Sequence, residues 1–241
     1  MTFRLFSDIH LEFGMAIEYF KVEPEEILIL AGDIAVGAKK TSEALRYFAN
    51  KAREVIYVPG NHEYYGSDFD DFNRDIKLLT EDITNCHVLL NETVKIDGTS
   101  YIGGTLWTNF REDPWAQKLA SNNISDFVRI NNFSTTRAVQ EFQKTLDWIK
   151  FSYEENAGPK VIVTHFLPAI ECIHPKYNRP NDLLNYYFAN DLSTWIGLLE
   201  DTEWVFGHTH ETIDIMIGNT RCRCNPYGYH LREINSLFTN I

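Results

Sequence analysis

The stretch Val55-Ile56-Tyr57-Val58-Pro59-Gly60-Asn61-His62-Glu63 joins a short apolar run to a polar tetrapeptide. The β-branched and aromatic residues at its start predict a buried strand that ends at the proline and the glycine. The tetrapeptide then sets an amide and an imidazole at the carboxyl end of that strand. An amide oxygen can bind a metal ion, and an imidazole can donate or accept a proton. Four residues recur by chance, so this stretch gains meaning only from others built in the same way.

Four other predicted strands end as this one does. They cover residues 2–7, 26–31, 160–164 and 202–206, and carboxylates or imidazoles follow each of them. The polar side chains that follow the five strands are Asp8, His10, Asp33, Asn61, His62, His165, His208 and His210. In an α/β sheet, ligands bind beyond the carboxyl ends of the strands. If the five strands share one sheet, these side chains surround one hollow.

The donor atoms in this set are nitrogen and oxygen, with no thiolate. Such mixed ligation suits Mn²⁺, Fe, Zn²⁺, Co²⁺ or Ni²⁺. Without His62 there are still seven candidate ligands, which is too many for one catalytic ion. They fit two ions that share a bridging carboxylate, an arrangement used for hydrolysis at phosphorus. A single Asp after a strand is more often a turn or cap residue, but chance explains the whole set poorly.

Composition limits the partners. The chain has 241 residues, 44% of them hydrophobic, and a net charge of −12 without a Lys/Arg cluster. An extended nucleic acid is therefore not the expected partner, whereas a small phosphorylated substrate can be held through metal ions. Residues 1–241 are predicted to form a single domain with cap-like insertions at about 105–134 and 170–190. We find no membrane span and no signal sequence, and we expect a cytoplasmic protein with reduced cysteines.

Local patterns predict the remaining elements. Helices are expected over 41–53, where Thr41 or Ser42 would cap the N-terminus, over 67–84 and over 135–155. Residues 11–24 are expected to be a loop, and residues 111–134 a loop or a cap. Residues 213–217 and 221–224 are expected to form a hairpin around Gly218-Asn219.

The ordered motifs resemble those of the calcineurin-like metallophosphoesterase superfamily. Its signature is D-x-H, G-D, G-N-H-[ED], a lone His after a strand, and G-H-x-H. Here the blocks are Asp8-Ile9-His10, Gly32-Asp33, Gly60-Asn61-His62-Glu63, Thr164-His165 and Gly207-His208-Thr209-His210. Bacterial and phage-type members are also similar in the stretches His174-Pro175-Lys176-Tyr177 and Cys224-Asn225-Pro226-Tyr227-Gly228-Tyr229.

The resemblance implies a fold and a set of roles. The fold would be a four-layer αββα sandwich with two mixed β-sheets flanked by helices. Asp8, His10, Asp33 and His210 would hold the first metal ion. Asp33, Asn61, His165 and His208 would hold the second, with Asp33 as the bridge. His62 would stay off the metals and act on the phosphoryl oxygen or the leaving group, so that His62 and Asp33 are the predicted catalytic residues.

One motif departs from the family. Phosphoprotein phosphatases continue the second block as G-D-x-V-D-R-G, whereas this chain reads Gly32-Asp33-Ile34-Ala35-Val36-Gly37. Val36 replaces the carboxylate that orients the catalytic imidazole, and the phosphate-binding Arg is missing. We therefore do not expect a phosphoprotein phosphatase. Glu63 could orient His62 instead, or it could cap the helix that follows.

The expected activity is hydrolysis of a small phosphodiester or phosphomonoester by a hydroxide that bridges two divalent ions. Mn²⁺ is expected first, with Fe, Zn²⁺, Ni²⁺, Co²⁺ or Mg²⁺ as alternatives. A nuclease or a nucleotide phosphatase of the same superfamily is an alternative, and a non-catalytic scaffold that kept the fold is another. Four aromatic residues could stack a nucleobase or, as we favour, belong to the cap's core: Trp107, Tyr177, Tyr186 and Tyr187.

Overall fold

A four-stranded parallel sheet carries the first three ligand motifs. The computed structural model describes residues 2–179 and 182–240. The sheet's strands, in their spatial order, are β1 (Arg4–Phe6), β2 (Ile27–Ala31), β3 (Glu54–Val58) and β4 (Cys86–Val88). Each neighbouring pair in it runs parallel. The carboxyl ends of β1, β2 and β3 therefore meet at one edge of this sheet.

A second, six-stranded sheet carries the other two motifs. Its strands are β5 (Glu92–Ile96), β6 (Thr99–Gly103), β7 (Lys160–Val163), β8 (Thr202–Val205), β9 (Ile213–Ile217) and β10 (Thr220–Cys224). Their spatial order is β5-β6-β7-β8-β10-β9. The pairs β5–β6 and β9–β10 are antiparallel and the inner pairs are parallel. The predicted mixed pairing thus holds for this sheet, whereas the first sheet is parallel throughout. A two-stranded ribbon, β11 (Gly228–Tyr229) with β12 (Glu233–Ile234), follows it.

The two sheets pack face to face. Successive side chains of a strand point to opposite faces. In β2, Ile27 and Ile29 belong to one buried cluster with Val161 of the second sheet. Leu28 and Leu30 belong to the other cluster, which includes the helices. This burial on both faces explains why β2 is apolar at every position.

Helices cover the outer faces of both sheets. They are α1 (Ala38–Ala49), α2 (Phe69–Thr80), α3 (Pro114–Asn123), α4 (Asp126–Arg129), α5 (Thr135–Glu155), α6 (Asn185–Phe188) and α7 (Ser193–Ile196). Helices α1 and α2 contact β3 and β4, and α5 contacts β6. The layers therefore run helix, sheet, sheet, helix, which confirms the predicted αββα sandwich. The prediction of one domain with two cap-like insertions stays a prediction.

Some local predictions were wrong. Of the two alternatives for residues 111–134, the loop is ruled out, because the region contains α3 and α4. Helix α3 begins at Pro114, and the Asp113 carboxylate accepts hydrogen bonds from the N–H groups of Trp115 and Ala116. Proline at the first helical position with an Asp cap is a helix-start signal. The pattern of α3 was missed because its apolar face is too sparse to give a clear helical period.

Two further corrections concern the loop residues near the site. Helix α1 starts at Ala38, and the Thr41 hydroxyl donates to the carbonyls of Ala35 and Gly37 instead of capping the helix. The expected loop 11–24 contains two short 3-10 turns, Leu11–Phe13 and Ile17–Tyr19. Within residues 2–179 and 182–240, no helix is long and apolar enough to cross a membrane.

Candidate metal centre

The predicted ligands converge, but from two sheets instead of one. Asp8, Asp33 and Asn61 follow β1, β2 and β3 of the first sheet, whereas His165 and His208 follow β7 and β8 of the second. The condition of one shared sheet is therefore not met, and the ligands divide between the two sheets that the family resemblance implied. Face-to-face packing brings the carboxyl ends of both sets of strands to the same edge of the sandwich, so the hollow forms between the sheets.

The first group of ligands joins residues 200 positions apart. His10 Nε2 lies 3.3 Å from His210 Nε2 and 3.7 Å from Asp33 Oδ2. His210 Nε2 lies 3.9 Å from Asp8 Oδ1. One ion could reach donor atoms of Asp8, His10 and His210 together. The first metal ion was predicted to bind these three residues and Asp33, whose Oδ2 atom lies near His10.

The second group centres on His165. Its Nε2 atom lies 3.1 Å from Asn61 Oδ1, 3.2 Å from His208 Nδ1 and 3.5 Å from Asp33 Oδ1. Asp33, His165 and His208 could hold one ion together. Asp33 therefore presents Oδ1 to this group and Oδ2 to the first, as a bridging carboxylate must.

The donor and acceptor chemistry of the second group fits a cation. His165 Nδ1 lies 2.8 Å from the Ala31 carbonyl, which can only accept, so Nδ1 carries a hydrogen. In the neutral imidazole, Nε2 then carries no hydrogen, and its lone pair faces the side-chain oxygen of Asn61. Two acceptors 3.1 Å apart repel each other unless a positive charge lies between or beside them. This hydrogen bond to Nδ1 is also the usual support for a metal-binding histidine.

The electrostatics of the centre favour a positive charge. Burial opposes ionisation of the Asp33 carboxyl, but His165 and His62 outweigh it and hold the pKa of Asp33 well below its usual range. Burial likewise opposes a charge on His165, yet the carboxylates of Asp33 and Asp8 raise its pKa to about 10. A proton on His165 therefore balances the carboxylates when no metal ion is bound. Divalent ions would replace that proton.

Four of the candidate ligands have a left-handed backbone. The φ angles of Asp8, His10, Asp33 and His208 are 50°, 44°, 57° and 66°. Residues other than glycine rarely adopt such angles, and they cluster at functional sites where the surroundings enforce them. Here backbone N–H groups hold the carboxylates of two of these residues, Asp8 and Asp33. The Asp8 carboxylate accepts from His208 N at 3.0 Å, and Asp33 Oδ1 accepts from His62 N at 2.9 Å.

Gly60 permits the close approach of two loops. A Cβ atom at this position would lie 2.1 Å from Asp33 Oδ1 and 2.6 Å from Asp33 N. It would also lie 2.7 Å from His165 Cε1. Only a residue without a side chain therefore lets Asn61 and the bridging Asp33 lie side by side.

Glu63 ties these loops together and does not orient His62. Its buried carboxylate accepts hydrogen bonds from the backbone N–H groups of Asp33, Ile34 and Gly60, at 3.0, 2.7 and 2.9 Å. The hypothesis that Glu63 orients His62 was wrong. The alternative is closer to the structure, because a carboxylate that reaches back three residues to Gly60 N resembles a capping box.

Glu12 orients His62, and the sequence analysis missed it. Glu12 Oε1 lies 2.9 Å from His62 Nδ1 and 3.1 Å from His10 Nδ1. Burial raises the pKa of this carboxyl, but the two imidazoles outweigh burial and lower it to about 2. The signal in the sequence was an acidic residue two positions after the D-x-H motif. It was overlooked because Glu12 lies in a 3-10 turn and not at a strand end.

A cavity of about 450 Å³ opens beside the centre. Asp33, Asn61, His62, His208 and His210 form one wall. Both predicted insertions contribute lining residues, among them Asp126, Lys176, Tyr177, Tyr187 and Phe188. Of the four aromatic residues singled out in the sequence, Tyr177 and Tyr187 line the cavity, Trp107 is buried in the core, and Tyr186 packs under the guanidinium of Arg111.

The ribbon β11–β12 also reaches the centre, which no motif had indicated. Glu233 Oε2 lies 3.4 Å from His210 Nδ1, and the ring of Tyr229 lies 4.4 Å from that of His210. Other histidines lie outside these groups: His87 Nε2 is 2.9 Å from Glu54 Oε2, and His230 Nδ1 is 2.9 Å from the hydroxyl oxygen of Tyr227. His174, whose insertion was expected to border the site, accepts a hydrogen bond from Lys176 N.

Comparisons with known proteins agree with this geometry. The sequence model of a family described as calcineurin-like phosphoesterase matches residues 1–212. The uncharacterized protein L509 of Acanthamoeba polyphaga mimivirus is 30% identical over 259 residues, which cover 94% of this chain and 90% of that protein. Among solved structures, the phosphopantetheinyl hydrolase PptH of Mycobacterium tuberculosis aligns with a TM-score of 0.76 at 16% identity, over 95% of this chain and 89% of that one.

Proposed function

Because this chain belongs to the calcineurin-like phosphoesterase family, we propose that it hydrolyses a small phosphodiester or phosphomonoester with the help of two divalent metal ions. The observation that carries the proposal is the shared carboxylate of Asp33, whose two oxygens face two separate groups of ligands. Asp8, His10 and His210 complete the first group, and Asn61, His165 and His208 complete the second. Mn²⁺ is our first choice of ion.

The bound ions would supply an activated water and neutralise charge on the phosphoryl oxygens. The protein contributes the arrangement of ligands. Asp33 keeps both groups at a fixed separation, because its own backbone N–H is held by Glu63 and its Oδ1 by His62 N. The left-handed backbone at Asp8 and His208 is set in advance by their mutual hydrogen bond, so little reorganisation is needed on binding.

His62 is the residue we assign to the substrate. Its Nδ1 is paired with Glu12, which leaves Nε2 directed towards the centre, 4.0 Å from Asp33 Oδ2. From there it can donate a hydrogen bond to a phosphoryl oxygen or a proton to the leaving group. The side chains of His10, His62 and Asp33 could also hold an ion between them. The family pattern and the Glu12 contact favour a role on the substrate.

The cavity favours a small substrate with both polar and apolar parts. Its lining also includes apolar groups such as Leu167, Ile173 and Phe188, and the cations Lys176 and Arg179. A volume of about 450 Å³ is within the usual range for small-molecule sites. The net charge of −12 disfavours a long nucleic acid, so a nuclease and a nucleotide phosphatase are second candidates. Because the solved structure of similar fold is named a phosphopantetheinyl hydrolase, a phosphopantetheinyl ester is added to the substrates to be tested.

The test is turnover of a panel of phosphoesters with defined metal content. Chromogenic mono- and diesters, cyclic nucleotides and a phosphopantetheinyl ester would be offered with Mn²⁺, Zn²⁺, Ni²⁺, Co²⁺ or Mg²⁺. We expect hydrolysis that a chelator abolishes and that Mn²⁺ restores. His62→Ala should keep the metal ions and lose most of the rate. If the metal-free protein turned over substrate as fast as the metal-loaded protein, the mechanism would be wrong. Binding of fewer than two ions per chain would favour a non-catalytic scaffold.

A further inference from the structure

Asp126 is a buried carboxylate in the first insertion that reaches a candidate metal ligand. It lies at the start of α4 and is 1% exposed. Its Oδ1 accepts from Asn61 Nδ2 at 3.0 Å and from the hydroxyl of Tyr65 at 2.7 Å. Its Oδ2 accepts from the hydroxyl of Tyr187, in the second insertion. Three segments of the chain therefore meet at one side chain.

These contacts decide which way the amide of Asn61 points. An ionised carboxylate can only accept hydrogen bonds, so the atom of Asn61 that faces Asp126 must be the NH₂ group. Asn61 Nδ2 also donates to the hydroxyl oxygen of Tyr65, at 3.2 Å, which uses its second hydrogen. Oδ1 is then left on the opposite side, 3.1 Å from His165 Nε2. Rotating the amide by half a turn would put a carbonyl oxygen against a buried carboxylate, which is costly.

We propose that Asp126 is a positioning residue that keeps the amide oxygen of Asn61 directed at the second metal ion. The inference rests on the proposed two-metal site. An amide oxygen is a metal ligand, whereas an amide NH₂ group has no lone pair to offer. Asp126 therefore acts through Asn61, in the way that outer hydrogen-bond partners orient metal ligands in general.

The same contact joins the cap to the centre. Asp126 comes from the predicted insertion 105–134 and Tyr187 from the insertion 170–190, while Asn61 and Tyr65 follow β3. Asp126 is also a lining residue of the cavity. The cap and the proposed second metal site are thus linked directly through one carboxylate.

The experiment measures Mn²⁺ binding to the full-length chain. Wild type and Asp126→Asn would be dialysed against a series of Mn²⁺ concentrations, and bound manganese would be counted and examined by electron paramagnetic resonance. The variant keeps the shape of the side chain but offers an NH₂ group to which Asn61 can present its oxygen. We expect the second ion to bind between about 10-fold and 100-fold more weakly, and the signal of coupled ions to give way to that of a single ion.

Two control variants separate amide orientation from loss of the cap. Asp113→Ala removes the N-cap of α3 in the same insertion, and Tyr187→Phe removes one contact of Asp126, yet both leave the partners of Asn61 in place. Both should bind two Mn²⁺ ions as the wild type does. Tyr65→Phe removes one acceptor of the Asn61 NH₂ group and should weaken the second ion about 5-fold.

The outcomes distinguish the two proposals. If the wild type binds two coupled ions and Asp126→Asn does so with equal affinity, the positioning role is wrong and the proposed function stands. If the wild type binds fewer than two ions, both fall. If Asp126→Asn does not fold, Tyr65→Phe becomes the test. An unchanged affinity of that variant for the second Mn²⁺ ion would overturn the positioning role of Asp126. Loss of the second ion in Asp113→Ala or Tyr187→Phe would also overturn it, since cap stability alone would then explain the effect.

Discussion

Among single residues, Glu12 shows how one side chain can replace a missing partner. Its Oε1 atom contacts Nδ1 of both His10 and His62, so it orients a candidate ligand and the candidate catalytic imidazole together. In phosphoprotein phosphatases the second motif supplies the orienting carboxylate, but Val36 occupies that position here. In this chain the orienting carboxylate comes from Glu12, in the turn after the first motif. It therefore has a different position in the sequence but makes the same kind of contact with the imidazole.

We predict that Glu12→Gln lowers kcat about 10-fold or more with a smaller change in KM. The neutral amide lacks the negative charge that pairs with both imidazoles, so it holds His62 less firmly in its orientation. Steady-state kinetics on the best substrate of the panel, together with metal analysis, would measure this. Glu18→Gln is the matched control, because Glu18 is exposed on the neighbouring turn. An unchanged kcat would rule out the orienting role.

Gly60→Ala should remove metal binding. The new methyl group would meet Asp33 Oδ1 and the Asp33 backbone, so the bridging carboxylate must move. We expect a loss of about 1–3 kcal/mol of stability from overpacking, together with loss of bound metal. Gly98→Ala is the control, since its φ of 81° makes alanine strained while nothing lies within 4 Å of the added atom. That variant should lose about 1–2 kcal/mol and keep its metal. Metal retained at full occupancy in Gly60→Ala would contradict the steric argument.

At the level of secondary structure, an ion pair fastens β1 to the segment before β2. Arg4 donates two hydrogen bonds of 2.6 Å to the two carboxylate oxygens of Glu26. This paired geometry is the strongest that an arginine and a carboxylate can form. The hydrogen bonds from Arg4 lower the pKa of Glu26 more than its slight burial raises it.

The expected consequence is a stability difference that depends on pH. The folded-state pKa of Glu26 is below its usual value of 4.5, so its contribution is present above pH 4.5 and is lost as pH falls through the folded-state pKa. Glu26→Gln should therefore lower the free energy of unfolding by about 1 kcal/mol at pH 7, and the difference should shrink below pH 4.5. Urea unfolding at several pH values would measure it, with the exposed Glu25→Gln as control. A difference that is independent of pH would show that charge is not its source.

The helices differ in how far the sequence predicts them. Helix α5 was predicted over its full length because apolar residues recur at helical spacing, and in the structure the Ser134 side chain caps its start. Helices α3 and α4 were not, since their positions depend on packing in the cap more than on their own periodicity. Asp126 lies in α4, so its contact with Asn61, 65 residues away, could not be foreseen from local pattern.

The strand ends were predictable for a different reason. A buried strand followed by Gly and a polar residue is a local signal, and all the predicted ligands do follow strands. Their division between two sheets is not local. Strands of one doubly wound sheet and strands of two stacked sheets are equally apolar on both faces, so only the resemblance to a known family indicated two sheets. Whether each side chain binds metal stays a prediction.

For the whole molecule, the centre joins the two sheets. Asp8, Asp33 and Asn61 come from one sheet and His165 and His208 from the other, so bound ions would hold them together. We predict that removing the metal lowers Tm, because ligands that bind only the folded state stabilise it by about 2.7 kcal/mol at 100 times Kd. Calorimetry with chelator and with Mn²⁺ would test this. The Tm of Asp33→Ala should be the same with chelator and with Mn²⁺. If the Tm of the wild type were also the same in both buffers, the prediction would be wrong.

The contact between residues 7–8 and 225–228 has a consequence for how the protein matures in the cell. Ser7 N donates to the carbonyl of Asn225, Tyr227 N to that of Ser7, and Gly228 N to that of Asp8. The loop of Asp8 therefore reaches its final conformation only after residue 228 has been translated and has left the ribosome. Any ion that the proposed centre binds would then be taken up after most of the chain has been synthesised.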